Sequence, residues 1–220
     1  STRSPRAATA SSASFHSRAI VAGRMKKGEA FFIAIALGVI GGVWLWFAVN
    51  AISALLAAST IVIYVVIYTP LKRRTAWCTL VGAVSGAIPP VVGWAAANPR
   101  LTLGAWVLFA ILFTWQMPHF LAIAWMYRDD YAAAGMPMLP VIEPDGRRTA
   151  QQALVYAAAL WPVSVMPAFV GLASAPYTVV ATVLGFVLIA LAVCNGPLLY
   201  DYTLIYKGSL NGTVLVNEIF

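Results

Sequence analysis

The sequence predicts an all-α fold: a polytopic membrane bundle of six transmembrane helices. Three observations predict it. The first is composition, since 61% of the 220 residues are hydrophobic and 10% are charged, whereas about a quarter of the residues of a soluble domain carry charge. The mean hydropathy of +0.84 agrees. The second is spacing. No charge occurs between Glu29 and Lys72, Arg74 and Arg100, Arg100 and Arg128, or Arg148 and Asp201, which leaves gaps of 42, 25, 27 and 52 residues. The third is that the few charges fall to one side once the gaps are folded into helices.

Each gap can be counted in helices, because a span needs roughly 20 apolar residues. The first gap holds two, 30–49 and 52–68, joined by a tight turn at Asn50 and Ser53. The third runs over 77–97 and stops at Asn98-Pro99, a strong helix terminator. The fourth covers 101–126. The last gap holds 151–172 and 177–194, split by the turn Ala173-Ser-Ala-Pro176. The chain divides into a divergent basic segment (1–29), a transmembrane core (30–195) and a divergent C-terminal segment (196–220).

Charge then sets orientation. If the N-terminus lies inside, the inner segments hold 13 of the 14 basic residues and all seven acidic ones, and the outer turns hold only Arg100. Short inner loops are biased in this way by the positive-inside rule, so the expected topology is N-in and C-in. The net charge of +7 is read as this bias, and no nucleic-acid partner is expected. Cys78 and Cys194 sit at the edges of apolar runs and form no CxxC site.

Within the spans, Gly38-xxx-Gly42 and Gly82-xxx-Gly86 are spacings that let helices approach closely. Pro89-Pro90 and Pro118 predict interruptions of the third and fourth helices, and broken helices at membrane depth persist where they line a cavity.

Three inner-side segments could carry chemistry. The loop 127–150 contains Tyr127-Arg128-Asp129-Asp130-Tyr131, the stretch Gly135-Met-Pro-Met-Leu-Pro140, then Glu143, Asp145, Arg147 and Arg148. Adjacent carboxylates at a membrane exit suit Mg²⁺, which takes one or two carboxylates together with substrate phosphate oxygens; the plain alternative is a solvated loop. Lys72-Arg73-Arg74 closes the second helix and could clamp a diphosphate, or simply fix orientation. Trp115-Gln-Met-Pro-His-Phe120 places polar groups inside a span, where they are costly and point to function. His119 could ligate iron, move a proton or bind a polar substrate group, or only bond a carbonyl freed near Pro118. Met117, Met126, Met136 and Met138 read as gap fillers. There is no phosphate-binding glycine loop, zinc-protease helix or serine elbow. Residue chemistry therefore stops at a membrane enzyme or transporter.

Four ordered blocks take the reading further. Tyr68-Thr-Pro-Leu-Lys-Arg-Arg-Thr75, Gly82-Ala-Val-Ser-Gly-Ala-Ile-Pro-Pro-Val-Val-Gly-Trp94, Trp115-Gln-Met-Pro-His-Phe120 and Tyr127-Arg-Asp-Asp-Tyr-Ala-Ala-Ala-Gly-Met-Pro-Met-Leu-Pro-Val141 resemble the UbiA superfamily of intramembrane prenyltransferases. Within it they resemble the protohaem IX farnesyltransferases, or haem O synthases. The likeness runs from about Ser17 to about Leu191.

The resemblance implies transfer of the farnesyl group of farnesyl diphosphate to a vinyl group of haem B, for haem O and haem A biosynthesis. It implies Mg²⁺ as cofactor, haem B as substrate and membrane lipid as surroundings. It makes Asp129 and Asp130 the metal-site candidates, Lys72, Arg73 and Arg74 the diphosphate contacts, and His119 and Asp130 the catalytic candidates. Tyr68, Gln116 and Tyr131 are further cavity candidates. A bacterial inner membrane is the expected location, ahead of a mitochondrial one. Alternatives are a 4-hydroxybenzoate-type polyprenyltransferase and a non-catalytic transport or structural subunit. Oligomeric state is left open.

The chain departs from the family pattern at both ends. Such proteins have about nine helices, so these six correspond to the third to eighth. The first aspartate-rich motif, Asn-xxx-Asp-xxx-Asp, has no counterpart in residues 1–14, and the first acidic residue is Glu29. Where the family has Asn-Arg-Pro, this chain has Ser17-Arg18-Ala19. The serine- and arginine-rich start also has the composition of a transit peptide, but an incomplete or frame-disrupted copy is the favoured expectation. Loss of half the metal site predicts weak or absent activity for the chain alone.

Overall fold

The computed structural model describes residues 26–194. The divergent segments outlined above lie largely outside the described residues. Among the described residues ten α-helices appear in order: α1 (Lys27–Trp44), α2 (Ala51–Val62), α3 (Thr69–Leu71), α4 (Cys78–Ala87), α5 (Pro89–Ala97), α6 (Leu103–Met126), α7 (Arg128–Ala133), α8 (Leu139–Ile142), α9 (Arg147–Phe169) and α10 (Ala175–Cys194). Among the described residues there is no strand. Hydrocarbon offers no partner for open backbone groups, so an uninterrupted helical ladder is what membrane depth requires.

Six stretches are long and apolar enough to cross a membrane: Gly28–Val49, Ala51–Leu71, Cys78–Ala97, Leu103–Met126, Arg147–Phe169 and Ala175–Val193. These are the six spans expected from the charge gaps. The fifth differs most, starting at Arg147 rather than near Gln151 because Gly146, at φ 71°, turns the chain directly into the helix. Left-handed backbone of this kind favours glycine.

The described residues form two units, divided after Val43. The first contains α1, which carries Phe31, Phe32, Leu37 and Ile40 on exposed positions, the surface expected of a helix solvated by lipid.

The second unit holds the other spans. Its first helical turn, Leu45–Val49, is a π turn in which the Asn50 N–H donates to the Leu45 carbonyl at 2.9 Å. Asn50 then caps α2: its Oδ1 accepts from the Ser53 N–H at 2.8 Å, and its Nδ2 donates to the Ala95 carbonyl at 2.7 Å. One side chain thus closes the turn and ties the second span to the Ala97 end of the third. A second π turn, Ile63–Tyr68, leads into α3. Insertions of this type often mark functional positions.

The third span is interrupted at Ile88, where Pro89 restarts the helix at its first position, the place proline tolerates best. The expected interruption at Pro118 does not occur. Helix α6 runs unbroken from Leu103 to Met126 with Pro118 inside it. Proline removes one hydrogen bond, and tight packing of α6 along α9 and α4 keeps the helix on course despite that loss. Helix α9 likewise contains Pro162 and Pro167. The buried interior is rich in small residues, including Ala83, Ala87, Ala95 and Ala105, with Val91, Val107, Met117, Leu121, Trp125 and Leu160 as larger members. Small residues let helix backbones approach, the main source of cohesion where lipid is as apolar as leucine.

Candidate active site

The Leu71 end of the second span, the Cys78 end of the third and the Met126 end of the fourth meet the connecting segment α7–α8. Tyr64, Tyr68 and Lys72 follow one another at four-residue spacing down the second span. The two rings stack with centroids 4.9 Å apart, and the Lys72 Nζ stands 5.8 Å from the Tyr68 ring centroid. An ammonium over an aromatic face is held there by the ring quadrupole.

Beneath this row lies a small buried floor of Cys78, Ala124 and Met138, with Tyr68, Leu71, Tyr131, Met136 and Val141 packed against it. The Cys78 Sγ and Met138 Sδ are 3.8 Å apart. The loop delivers Met138 because Gly135, at φ 66°, ends α7 in a left-handed turn. There the Gly135 N–H donates to the Ala132 carbonyl at 3.1 Å and the Met136 N–H to the Tyr131 carbonyl at 2.9 Å, the paired bonds of a Schellman stop.

Tyr131 sits against this floor, and its phenol is raised above the ordinary value of 10.0, chiefly by burial and then by the nearby Cys78, Tyr127 and Asp130. It is a neutral hydroxyl at physiological pH. Asp129 and Asp130 occupy the first turn of α7 and are exposed, as are Arg73 and Arg74 in the turn after α3. Among the described residues, no three histidine, cysteine or acidic side chains come together as a ready metal cage. Two adjacent carboxylates still meet the ordinary Mg²⁺ requirement when substrate and water complete the shell.

Farther along the loop, Arg148 Nη1 pairs with Glu143 Oε1 at 2.7 Å. These two line an open groove of about 570 Å³ with Ile142, Pro144, Asp145, Arg147 and Gln151. Its charges largely balance one another.

Of the candidates read from sequence, the structure brings Tyr68, Lys72 and Tyr131 to one place. Gln116 lies deeper and is buried, its Nε2 donating to the Leu112 carbonyl at 3.1 Å. Its Oε1 faces Gly86 so closely that a Cβ there would collide with it, and a Cβ at Gly82 would come within 3.1 Å of the Tyr68 ring. The glycine pair read as a generic packing motif therefore seats two polar side chains from the neighbouring spans. His119 is exposed and stacks on Trp115, with centroids 5.4 Å apart and planes 14° apart.

Sequence reasoning missed the floor itself. Cys78 looked uninformative and Met138 a gap filler, and only the chain's return after Gly135 makes them neighbours.

Residues 14–196 match the UbiA prenyltransferase family. The chain is 52% identical to a protein named protoheme IX farnesyltransferase from Solibacter usitatus, over 76% of this chain and 58% of that one. It is 46% identical to the protein of that name from Koribacter versatilis (78% and 55%) and 47% identical to the one from Gloeobacter violaceus (78% and 56%). It thus spans a little over half the length of these curated relatives. No solved structure matches it. The six spans, the ordered inner-side motifs and a match over most of its length mean that the chain belongs to the UbiA prenyltransferase family.

Proposed function

We propose that this chain carries the prenyl-transfer core of a haem O synthase, moving the farnesyl group of farnesyl diphosphate onto a vinyl group of haem B. The observation that carries this reading is the meeting of Lys72, Tyr68 and Tyr131 beside the membrane exit that bears Asp129 and Asp130. It occurs in a chain about half identical to proteins named protoheme IX farnesyltransferase.

In this reading the allylic C–O bond breaks with its electron pair leaving on diphosphate. The vinyl π bond attacks the allylic cation, and water adds to the resulting benzylic-type cation, releasing a proton and leaving a hydroxyfarnesylethyl group. Lys72, Arg73 and Arg74 bind the diphosphate and oppose the charge that grows on it. Asp129 and Asp130 are the residues that would hold Mg²⁺, which when bound supplies further neutralisation of the leaving group. The Tyr131 hydroxyl, kept protonated by burial, donates to a diphosphate oxygen. Tyr68 and Gln116 line the cavity toward the prenyl chain. The proposed setting is a bacterial inner membrane, with the N-terminus and C-terminus inside.

The test is reconstitution of the chain in liposomes with farnesyl diphosphate, haem B and Mg²⁺, with products followed by chromatography and mass spectrometry. A Mg²⁺-dependent haem product heavier by one hydroxylated farnesyl group supports the reading. Prenylation of 4-hydroxybenzoate instead, or absence of Mg²⁺-dependent prenyl diphosphate binding, overturns it.

A further inference from the structure

The segment that joins the fourth span to the fifth, residues 127–146, leaves the bundle and rejoins it at one side chain. Trp125 stands just before the end of α6 and is 4% exposed. At the start of the segment, the Arg128 guanidinium carbon lies 4.6 Å from the centroid of the Trp125 ring, and its Nη1 donates to the Trp125 carbonyl at 3.2 Å. The last carbonyls of a helix lack their helical partners, and indole is the strongest aromatic partner for a cation. A guanidinium can make both contacts at once, because it is flat and its donors fan out from the plane that stacks. At the end of the segment, Gly146 turns the chain into α9 at φ 71°. It passes so near the same indole that a Cβ there would collide with the Cη2, Cζ3 and Cζ2 atoms. One ring thus receives both ends.

The acidic turn lies between two such anchors. Asp129 and Asp130 follow Arg128 directly and precede Tyr131, which packs on the floor of Cys78, Ala124 and Met138. Helix α7 has only six residues, and helices shorter than about 12 residues are marginal by propensity alone. Its direction is therefore set by what holds its first and fourth residues. Arg128 is half-buried, whereas Arg147 and Arg148 at the other end of the segment are exposed. Of these three arginines, Arg128 is the one turned onto the protein.

We infer that Arg128 and Trp125 form a clasp that positions the acidic turn of α7, so that Asp129 and Asp130 meet the diphosphate and its Mg²⁺ from a fixed place. This rests on the reading of those carboxylates as the metal-holding pair of a prenyltransferase. Arg128 is a positioning residue. It acts through the backbone of α7 and does not touch the diphosphate.

The test is hydrogen exchange read by mass spectrometry on the whole chain in lipid nanodiscs, beside titration of farnesyl diphosphate binding against Mg²⁺. Arg128→Ala is expected to speed amide exchange over 127–136 by about tenfold or more, with exchange in the spans unchanged as the check on folding. It is expected to weaken Mg²⁺-dependent farnesyl diphosphate binding by about tenfold and to raise the half-saturating Mg²⁺ concentration by a similar factor, which a general loss of stability would not do. Arg128→Lys keeps the charge and loses the fork, and should fall between wild type and Arg128→Ala in both readouts. Trp125→Phe is expected to speed exchange at both ends, over 127–136 and 143–149, because the ring serves both. Weaker binding in Arg128→Ala with wild-type exchange overturns the inference, by making Arg128 a diphosphate contact. Faster exchange with wild-type binding and Mg²⁺ dependence overturns it too, by making the clasp a fastening only. Either result leaves the prenyltransferase reading in place. Absence of Mg²⁺-dependent binding in wild type overturns that reading and the inference together.

Discussion

The rim around α7 and α8 has two halves built on opposite principles. The floor of Cys78, Ala124 and Met138 under Tyr68 and Tyr131 is buried and satisfied by packing. The edge, with Arg73, Arg74, Asp129 and Asp130, is exposed. The floor is finished by folding alone, since every contact in it is made by the chain. The edge is a set of exposed charges in the turn after α3 and the first turn of α7. In the proposed reading stability resides below and chemistry above, with Lys72 and Tyr131 belonging to both.

The comparison breaks most visibly through the edge. Asp130→Ala is expected to lower kcat/KM for farnesyl transfer by about 100-fold or more, since loss of a metal-holding carboxylate removes several kcal/mol of charge stabilisation. The same variant should unfold within about 0.5 kcal/mol of wild type. Activity against Mg²⁺ concentration, beside thermal unfolding in detergent, separates the two effects. A stability loss as large as the activity loss would place Asp130 in the floor.

The next effect is structural. Gly86→Ala drives a methyl group into Gln116 and is expected to cost about 1–3 kcal/mol, the usual range for overpacking. Adding Gln116→Ala should recover much of that, giving a clear coupling term in a double-mutant cycle. Gly42→Ala is the control, because open space surrounds its Cβ position.

A smaller effect comes from Tyr131. Its folded phenol titrates above the ordinary 10.0, so its contribution to stability is complete below that value and is lost as pH rises through the folded pKa. Unfolding temperature should fall less steeply above about pH 10 in Tyr131→Phe than in wild type. Smallest of all, Arg148→Ala breaks a pair whose arginine side chain is 70% exposed. It should cost under about 1 kcal/mol and less in high salt, as read by the same unfolding assay.

Much of the fold was legible in the sequence because the bilayer turns a three-dimensional problem into a linear one. The gap from Glu29 to Lys72 had to hold two spans, and the turn at Asn50 and Ser53 appears with Asn50 as the cap. Pro89 breaks the third span as expected, while Pro118 does not break the fourth, because one missing hydrogen bond is outweighed by neighbours that the sequence does not display. The charged candidates stood out in the sequence too, since a charge beside an apolar run is conspicuous. Its uncharged members were hidden. Cys78 and Met138 are sixty positions apart and look like any other apolar residues. Gly82 and Gly86 announced close packing without saying against what.

By itself, then, the sequence determined the number of spans, their approximate limits and the residues gathered near their ends, because hydrocarbon penalises every charge and every open backbone group wherever it falls in the chain. Only the tertiary structure decided how each helix is rotated about its axis. That rotation puts Gln116 against Gly86 and Tyr68 over Gly82. Spans that are apolar on nearly every side carry little pattern to fix their rotation, so it is set by which small residues allow the closest approach.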